Sequence, residues 1–147
     1  MADKTGLMID SAEVRLVRLP LIRPFTISTG TMHAKEFVLL TLRSGRLEGY
    51  GEGVMDPLPD YLEETNASGL MLLEQAILPQ LLGKRFSNPA AVEQTMTHWR
   101  GHRMTKATVE MAFQDLWAKS LGLPLKTVLG GVRDAVVVGV SLGIGDI

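Results

Sequence analysis

"GHRMTKATVEMAFQDLWAKSLGLPLKTVLGG", Gly101 to Gly131, contains the most completely punctuated helix in the chain. Val109, Ala112, Phe113, Leu116, Trp117 and Ser120 recur at i, i+3, i+4, i+7, i+8 and i+11. That spacing puts them on one face of a helix, with Glu110, Gln114 and Lys119 mostly off it. Thr105 is placed to cap the start and Gly122 to end it in a left-handed turn. Pro124 then opens a short second helix, which the Gly130-Gly131 pair closes. A helix so firmly started and stopped needs a surface to pack on, and the sequence on either side must supply it.

Moving toward the N-terminus, "SNPAAVEQTMTHW" predicts another helix, with Asn88 as N-cap and Pro89 in the first helical position. From about Leu62, the residues Leu70, Leu73, Ile77 and Leu81 have helical spacing, and Pro79 is expected to break or restart that helix. Before these the composition is β-like. Met8–Leu19 reads as a half-buried strand closed by Pro20. "LIRPFTISTGTMHAKE" reads as a long loop or loose hairpin. "FVLLTL" (Phe37–Leu42) is a strand ended by a turn at Gly45, and "LEGYGEGVM" is its return. Glycines 49, 51 and 53 weaken that return strand in isolation and point to close backbone approach. Strands followed by helices give an α+β fold, a three-stranded antiparallel meander with a helical bundle beside it.

On the C-terminal side "AVVVGVSLGI" (Ala135–Ile144) is apolar without alternation. That pattern belongs to a strand buried on both faces, as in parallel sheets and barrels. Burying its aliphatic side chains is worth on the order of 10 kcal/mol. The expectation is therefore a capping unit over 1–131, then a connector and the first strand of an incomplete barrel over 132–147. The rest of that barrel's sheet would lie outside this chain.

The totals exclude several classes. The chain has 147 residues, 46% of them hydrophobic, and a net charge of −1 from 15 basic and 16 acidic side chains. Near-balance gives no reason to expect nucleic acid or an anionic membrane as a partner. There is no cysteine, so no disulfide framework and no thiolate; this fits a cytoplasmic protein. The first residues lack an apolar signal segment, and no run approaches the ~20 apolar residues of a membrane span. Eight methionines read as adaptable core filler, ahead of the alternative of a pliable binding surface.

The residues Ala107, Glu110, Ala112, Asp115, Ala118, Lys119, Pro124, Leu129 and Gly130 stand where a known signature has them. "ATVEMAFQDLWAKSLGLPLKTVLGG" resembles the mandelate racemase/muconate lactonizing branch of the enolase superfamily. "GHRMTKATVEMA" and "PLIRPFTISTGT" are similar more particularly to its o-succinylbenzoate synthase/N-acylamino acid racemase group. The resemblance implies an enolase N-terminal-like capping domain over a TIM-type barrel. It implies a homo-oligomeric enzyme acting on a small-molecule carboxylate. A base removes the α-proton, and Mg²⁺ or another divalent metal stabilises the enediolate. The family's metal and acid/base residues, among them a Lys-x-Lys pair, have no counterpart in this sequence. By that comparison the chain alone carries no catalytic residue and no metal, and is inactive.

The resemblance does imply substrate contacts. They are Phe25, Ser28 and Thr29 on one loop, Met55 and Tyr61 on a second, and Ser141 near the end of the tail strand. Relatives often have an aromatic residue where Thr29 stands. Other readings compete with these and with neighbouring residues. Phe25 could be core and Ser141 merely a strand residue. Arg100, His102 and Arg103 read better as helix-end caps than as an anion site. His33 and His98 are too isolated for a metal, and Glu63-Glu64 reads as a solvated helix start. Glycines 49, 51 and 53 precede no helix, so they form no phosphate loop. Outside the N-acylamino acid racemase/o-succinylbenzoate synthase reading stand a dipeptide epimerase or muconate cycloisomerase cap, and a free-standing interaction module.

Overall fold

The computed structural model describes residues 6–28 and 30–140. The chain begins with a two-residue strand, β1 (Leu7–Met8), and a long strand, β2 (Ser11–Ile27). Two more strands follow, β3 (Gly30–Ser44) and β4 (Leu47–Gly53). β2, β3 and β4 form the antiparallel meander that the sequence predicts, in the order β2-β3-β4. Gly45, at φ 57°, makes the turn between β3 and β4.

The stretch expected as a loop or loose hairpin is a regular hairpin for most of its length. Pro20 pairs with Ala34, and pairing resumes at Phe25 with Met32, so β2 is not closed at Pro20. The register shifts between these points, leaving Leu21–Pro24 opposite His33. The prolines supply no N–H for a ladder, so the strand bulges between them and then continues. β2 tolerates this because it lies at the sheet edge.

Six further elements follow. They are α1 (Asn66–Leu72), a π-helical turn (Leu73–Ile77), α2 (Leu78–Leu81), β5 (Arg85–Phe86), α3 (Pro89–Met96) and α4 (Arg103–Leu121). A short α5 (Leu125–Val128) is the last of the described elements. β5 pairs with β1, Leu7 against Phe86. The first helix starts at Asn66, later than the spacing from Leu62 predicts, because Thr65 and Ser68 form a reciprocal capping box there. Pro79 does not break it. The preceding turn widens so that the Leu78 N–H bonds to the Leu73 carbonyl, and the helix runs on with Pro79 in its next turn. Asn88 caps α3 as predicted, its Oδ1 accepting from the Ala91 N–H at 3.0 Å.

α4 lies along β4. A Cβ on Gly49 would come within 2.6 Å of Leu116, and one on Gly53 within 2.7 Å of the Thr108 hydroxyl. This is the close approach the three glycines predict. Val109, Ala112, Phe113 and Leu116 are fully buried against Val38, Leu40 and Leu42 of β3 and Leu73, Ile77 and Leu81. Phe86 meets Phe113 edge to face, centroids 6.0 Å apart. Trp117 is half-buried and Ser120, the last residue of the predicted face, is exposed. Gly122 ends the helix at φ 65°, with the Leu123 N–H reaching back to the Ala118 carbonyl.

One expectation fails here. Thr105 does not cap α4; it is buried within the helix, and His102, in the left-handed region at φ 49°, precedes the first turn without a side-chain capping bond. Residues 135–140 form no strand with the described residues, and Val136, Val137, Val138 and Val140 are 69–100% exposed. A strand needs a neighbour to pair with, and none of the described strands pairs with this segment. Residues 141–144 of that prediction lie outside the described residues.

Candidate substrate-facing cleft

The far half of the β2–β3 hairpin and the segment between β4 and α1 flank a cleft of about 630 Å³. Phe25, Ile27, Met32 and His33 line the hairpin side, and Asp56 and Tyr61 the other. The hairpin holds its shape through Thr26 and Thr31, whose hydroxyls meet across the strands at 2.9 Å. The facing segment closes on itself: the Asn66 N–H bonds the Asp56 carbonyl at 3.0 Å, beside a bridge between Asp56 and Thr65. That makes 57–64 a compact loop with a closed neck. Asp56 also ties it to the hairpin, its carboxylate accepting from Lys35 Nζ at 2.9 Å.

The predicted contacts divide. Phe25 (41% exposed) and Tyr61 (83% exposed) line the same cleft although 36 residues apart in sequence. Ser28 is exposed in the hairpin turn. Thr29 and Ser141 lie outside the described residues. Met55 must be corrected: it is fully buried and presents no surface to a ligand. Gly53 and Gly69 lack side chains, and the Met55 thioether fills the space they leave. The bland reading of Glu63-Glu64 also fails for its second residue. Glu64 is 6% exposed and bonded to the first turn of α4.

The sequence reading missed Ile27, Met32, Lys35 and Asp56. Their signal is tertiary: Lys35 and Asp56 are unremarkable until the hairpin folds over the loop. Lys35 and Asp56 offset one another's charge within the lining, and the apolar side chains around them suit an apolar group.

A second polar cluster runs from β2 across β3 to β4, where side chains of α4 join it. Arg43 bridges Glu13 at 2.9 Å and Glu48 at 2.7 Å. The Arg43 guanidinium, then that of Arg15, holds the Glu13 carboxyl below its usual value. The Tyr50 hydroxyl, then Arg43, does the same for Glu48, and Glu48 in turn raises the Tyr50 phenol. Lys119 sits over the Tyr50 ring, 4.7 Å from its centroid, and bonds Asp115 at 2.6 Å. These groups neutralise one another and face no cavity of the cleft.

Among the described residues, no three His, Asp or Glu side chains gather where they could hold a metal. None of the described residues is assigned to the divalent ion that the resemblance implies. No helix among them is long and apolar enough to cross a membrane.

Residues 11–130 match the family description "Mandelate racemase / muconate lactonizing enzyme, N-terminal domain". The chain belongs to this family. It is 52% identical over 136 residues to the N-succinylamino acid racemase of Thermus thermophilus, a match covering 92% of this chain and 37% of that protein. It is 35% identical over 127 residues to the o-succinylbenzoate synthase of Listeria innocua, covering 86% of this chain and 34% of that one. A crystal structure of an enolase-superfamily member from Listeria innocua superposes with a TM-score of 0.88 at 32% identity, covering 96% of this chain and 38% of the other. The chain thus spans little more than a third of the length of these relatives. As an N-terminal domain of the mandelate racemase/muconate lactonizing enzyme family, it has the meander and helices of the enolase capping fold, and the cleft belongs to its long hairpin.

Proposed function

We propose that this chain is the cap of an enolase-superfamily enzyme of the N-succinylamino acid racemase/o-succinylbenzoate synthase kind. The cap shapes the pocket for a small carboxylate substrate. The observation that carries this reading is the cleft in which Phe25 and Tyr61 face one space from two separate segments. In the complete enzyme a divalent metal would supply positive charge next to a carboxylate that loses its α-proton, held by residues outside the described ones. The cap's own residues do different work. Phe25, Ile27 and Met32 exclude water from the substrate's apolar end, and Tyr61 closes over it from the opposite loop. Ser28, exposed in the hairpin turn, offers a hydroxyl to a polar group; by the family resemblance Thr29 and Ser141 would add two more, Ser141 from the first strand of a barrel beginning after residue 131. The base and metal ligands come from that barrel, so the chain alone performs no turnover. A cytoplasmic homo-oligomer is part of the same reading.

A chimera tests it: residues 1–131 of this chain joined to the remainder of the Thermus racemase that it matches. With Mg²⁺ the chimera should racemise N-succinylamino acids. Phe25→Ala and Tyr61→Ala should each raise KM at least severalfold, with a smaller change in kcat. A folded chimera whose KM ignores both changes would sink the assignment. The exposed valines 136–138 favour one other reading, a module whose tail strand completes a partner's sheet. A concentration-independent monomer mass for this chain would count against it.

A further inference from the structure

We propose that Glu64 is a positioning residue for the cleft, a latch that fixes the loop carrying Tyr61 to the start of α4. The proposal rests on reading the cleft as a substrate site, but the latch itself stands on geometry alone.

α4 begins without local help. His102 is left-handed and contributes no side-chain capping bond, and Thr105 lies too far into the helix to cap it. The first N–H groups of a helix have no partner within it and must find one elsewhere. Here the partner comes from 40 residues earlier. Glu64 Oε1 accepts from the Met104 N–H at 2.9 Å, while Oε2 accepts from the Thr105 N–H at 3.0 Å and the Thr105 hydroxyl at 2.9 Å. The carboxylate is 6% exposed, so water is a poor substitute for these three donors. A negative charge at this end also suits the helix dipole.

The same bonds act on the loop. Glu64 is three residues after Tyr61 and directly precedes Thr65, the cap of α1. On the other side of the loop, Asp56 is held by Lys35 and by the Asn66 N–H. Residues 57–63 between the two anchors are all exposed, and none of their backbone N–H groups is bonded to another backbone group. The loop's own interior therefore does little to place Tyr61. The anchors do it, and Glu64 is the one nearer to Tyr61. Removing its carboxylate uncaps α4 and frees the descending limb of the loop together.

Chymotrypsin cleavage of this chain after Tyr61 reads the latch without any ligand. Cleavage tracks the population of the open loop when opening is fast. Four variants are compared: Glu64→Ala, Glu64→Gln, Thr105→Val, and Val92→Ala, which thins the core at α3 away from the loop. The expected result is cleavage after Tyr61 about tenfold faster in Glu64→Ala than in Val92→Ala. Cleavage after Phe113 and Trp117 should differ little between them. Glu64→Gln, which keeps one acceptor oxygen, should recover part of the protection, and Thr105→Val most of it. If Glu64→Ala fails to fold, Glu64→Gln against Val92→Ala carries the same comparison. Cleavage at Tyr61 that rises no more than at the α4 sites would overturn the proposal and leave Glu64 as a helix cap. Protection without a KM effect of Tyr61 in the chimera would instead refute the substrate reading and leave the latch intact.

Discussion

Gly51 of β4 and Thr108 of α4 meet backbone to backbone, so closely that a Cβ on Gly51 would overlap the Thr108 carbonyl oxygen. Sheet and helix are therefore packed at a distance that only glycine permits. Gly51→Ala should cost about 3 kcal/mol or more, since neither backbone can give way as a flexible side chain would. Gly45→Ala is the control: nothing lies within 4 Å of it, and only its left-handed φ of 57° opposes a side chain. It should cost about 1 kcal/mol. Urea unfolding of both variants checks the difference; equal losses would refute the close-packing argument.

Phe113 is fully buried and touches Phe86 edge to face and Trp117 in a near-parallel stack at 6.2 Å. Phe113→Ala should cost about 3–5 kcal/mol, the usual loss for an aromatic core truncation. Phe113→Leu should cost much less. The fluorescence of Trp117 offers a direct reporter of the transition, and a loss under 1 kcal/mol would mean that the core repacks around the gap.

The Arg43 cluster should show in the acid limb of stability. The carboxyls of Glu13 and Glu48 are lowered in the folded state, so the contribution is present above their usual range and lost as pH falls through the folded values. Arg43→Gln should therefore lower Tm more at pH 7 than at pH 3, by a small amount that added salt reduces further. A gap that is constant with pH would exclude the linkage.

Without partner chains this chain should not racemise N-succinylamino acids in the presence of Mg²⁺. Product formation followed by polarimetry or chiral chromatography checks it. Turnover at enzyme-like rates would show that its own residues suffice.

Local signals were legible and distant ones were not. The apolar face of α4 repeats every turn, and the Asn88 cap acts within three residues, so both could be read directly. The three glycines of β4 signalled close approach without naming the helix that makes it. Pro20 misled because a proline ends most strands, but an edge strand can bulge and resume, as β2 does. Glu64 was hidden because its donors lie 40 residues on, and nothing near it looks like a helix start for α4. Met55 looked like loop surface because the cavity it fills is made by two absent side chains, at Gly53 and Gly69. In the cleft, Phe25 and Tyr61 came from resemblance, while Lys35 and Asp56 required the fold.

The bulge between Pro20 and Phe25 has a further consequence. An edge strand carrying Ile22, Phe25 and Ile27 in the open is a template on which foreign strands add, the first step toward aggregation. Pro20 and Pro24 have no N–H to donate to such a strand, and the broken register denies it a flat bed. The arm can thus remain greasy and uncovered while staying closed to β-augmentation.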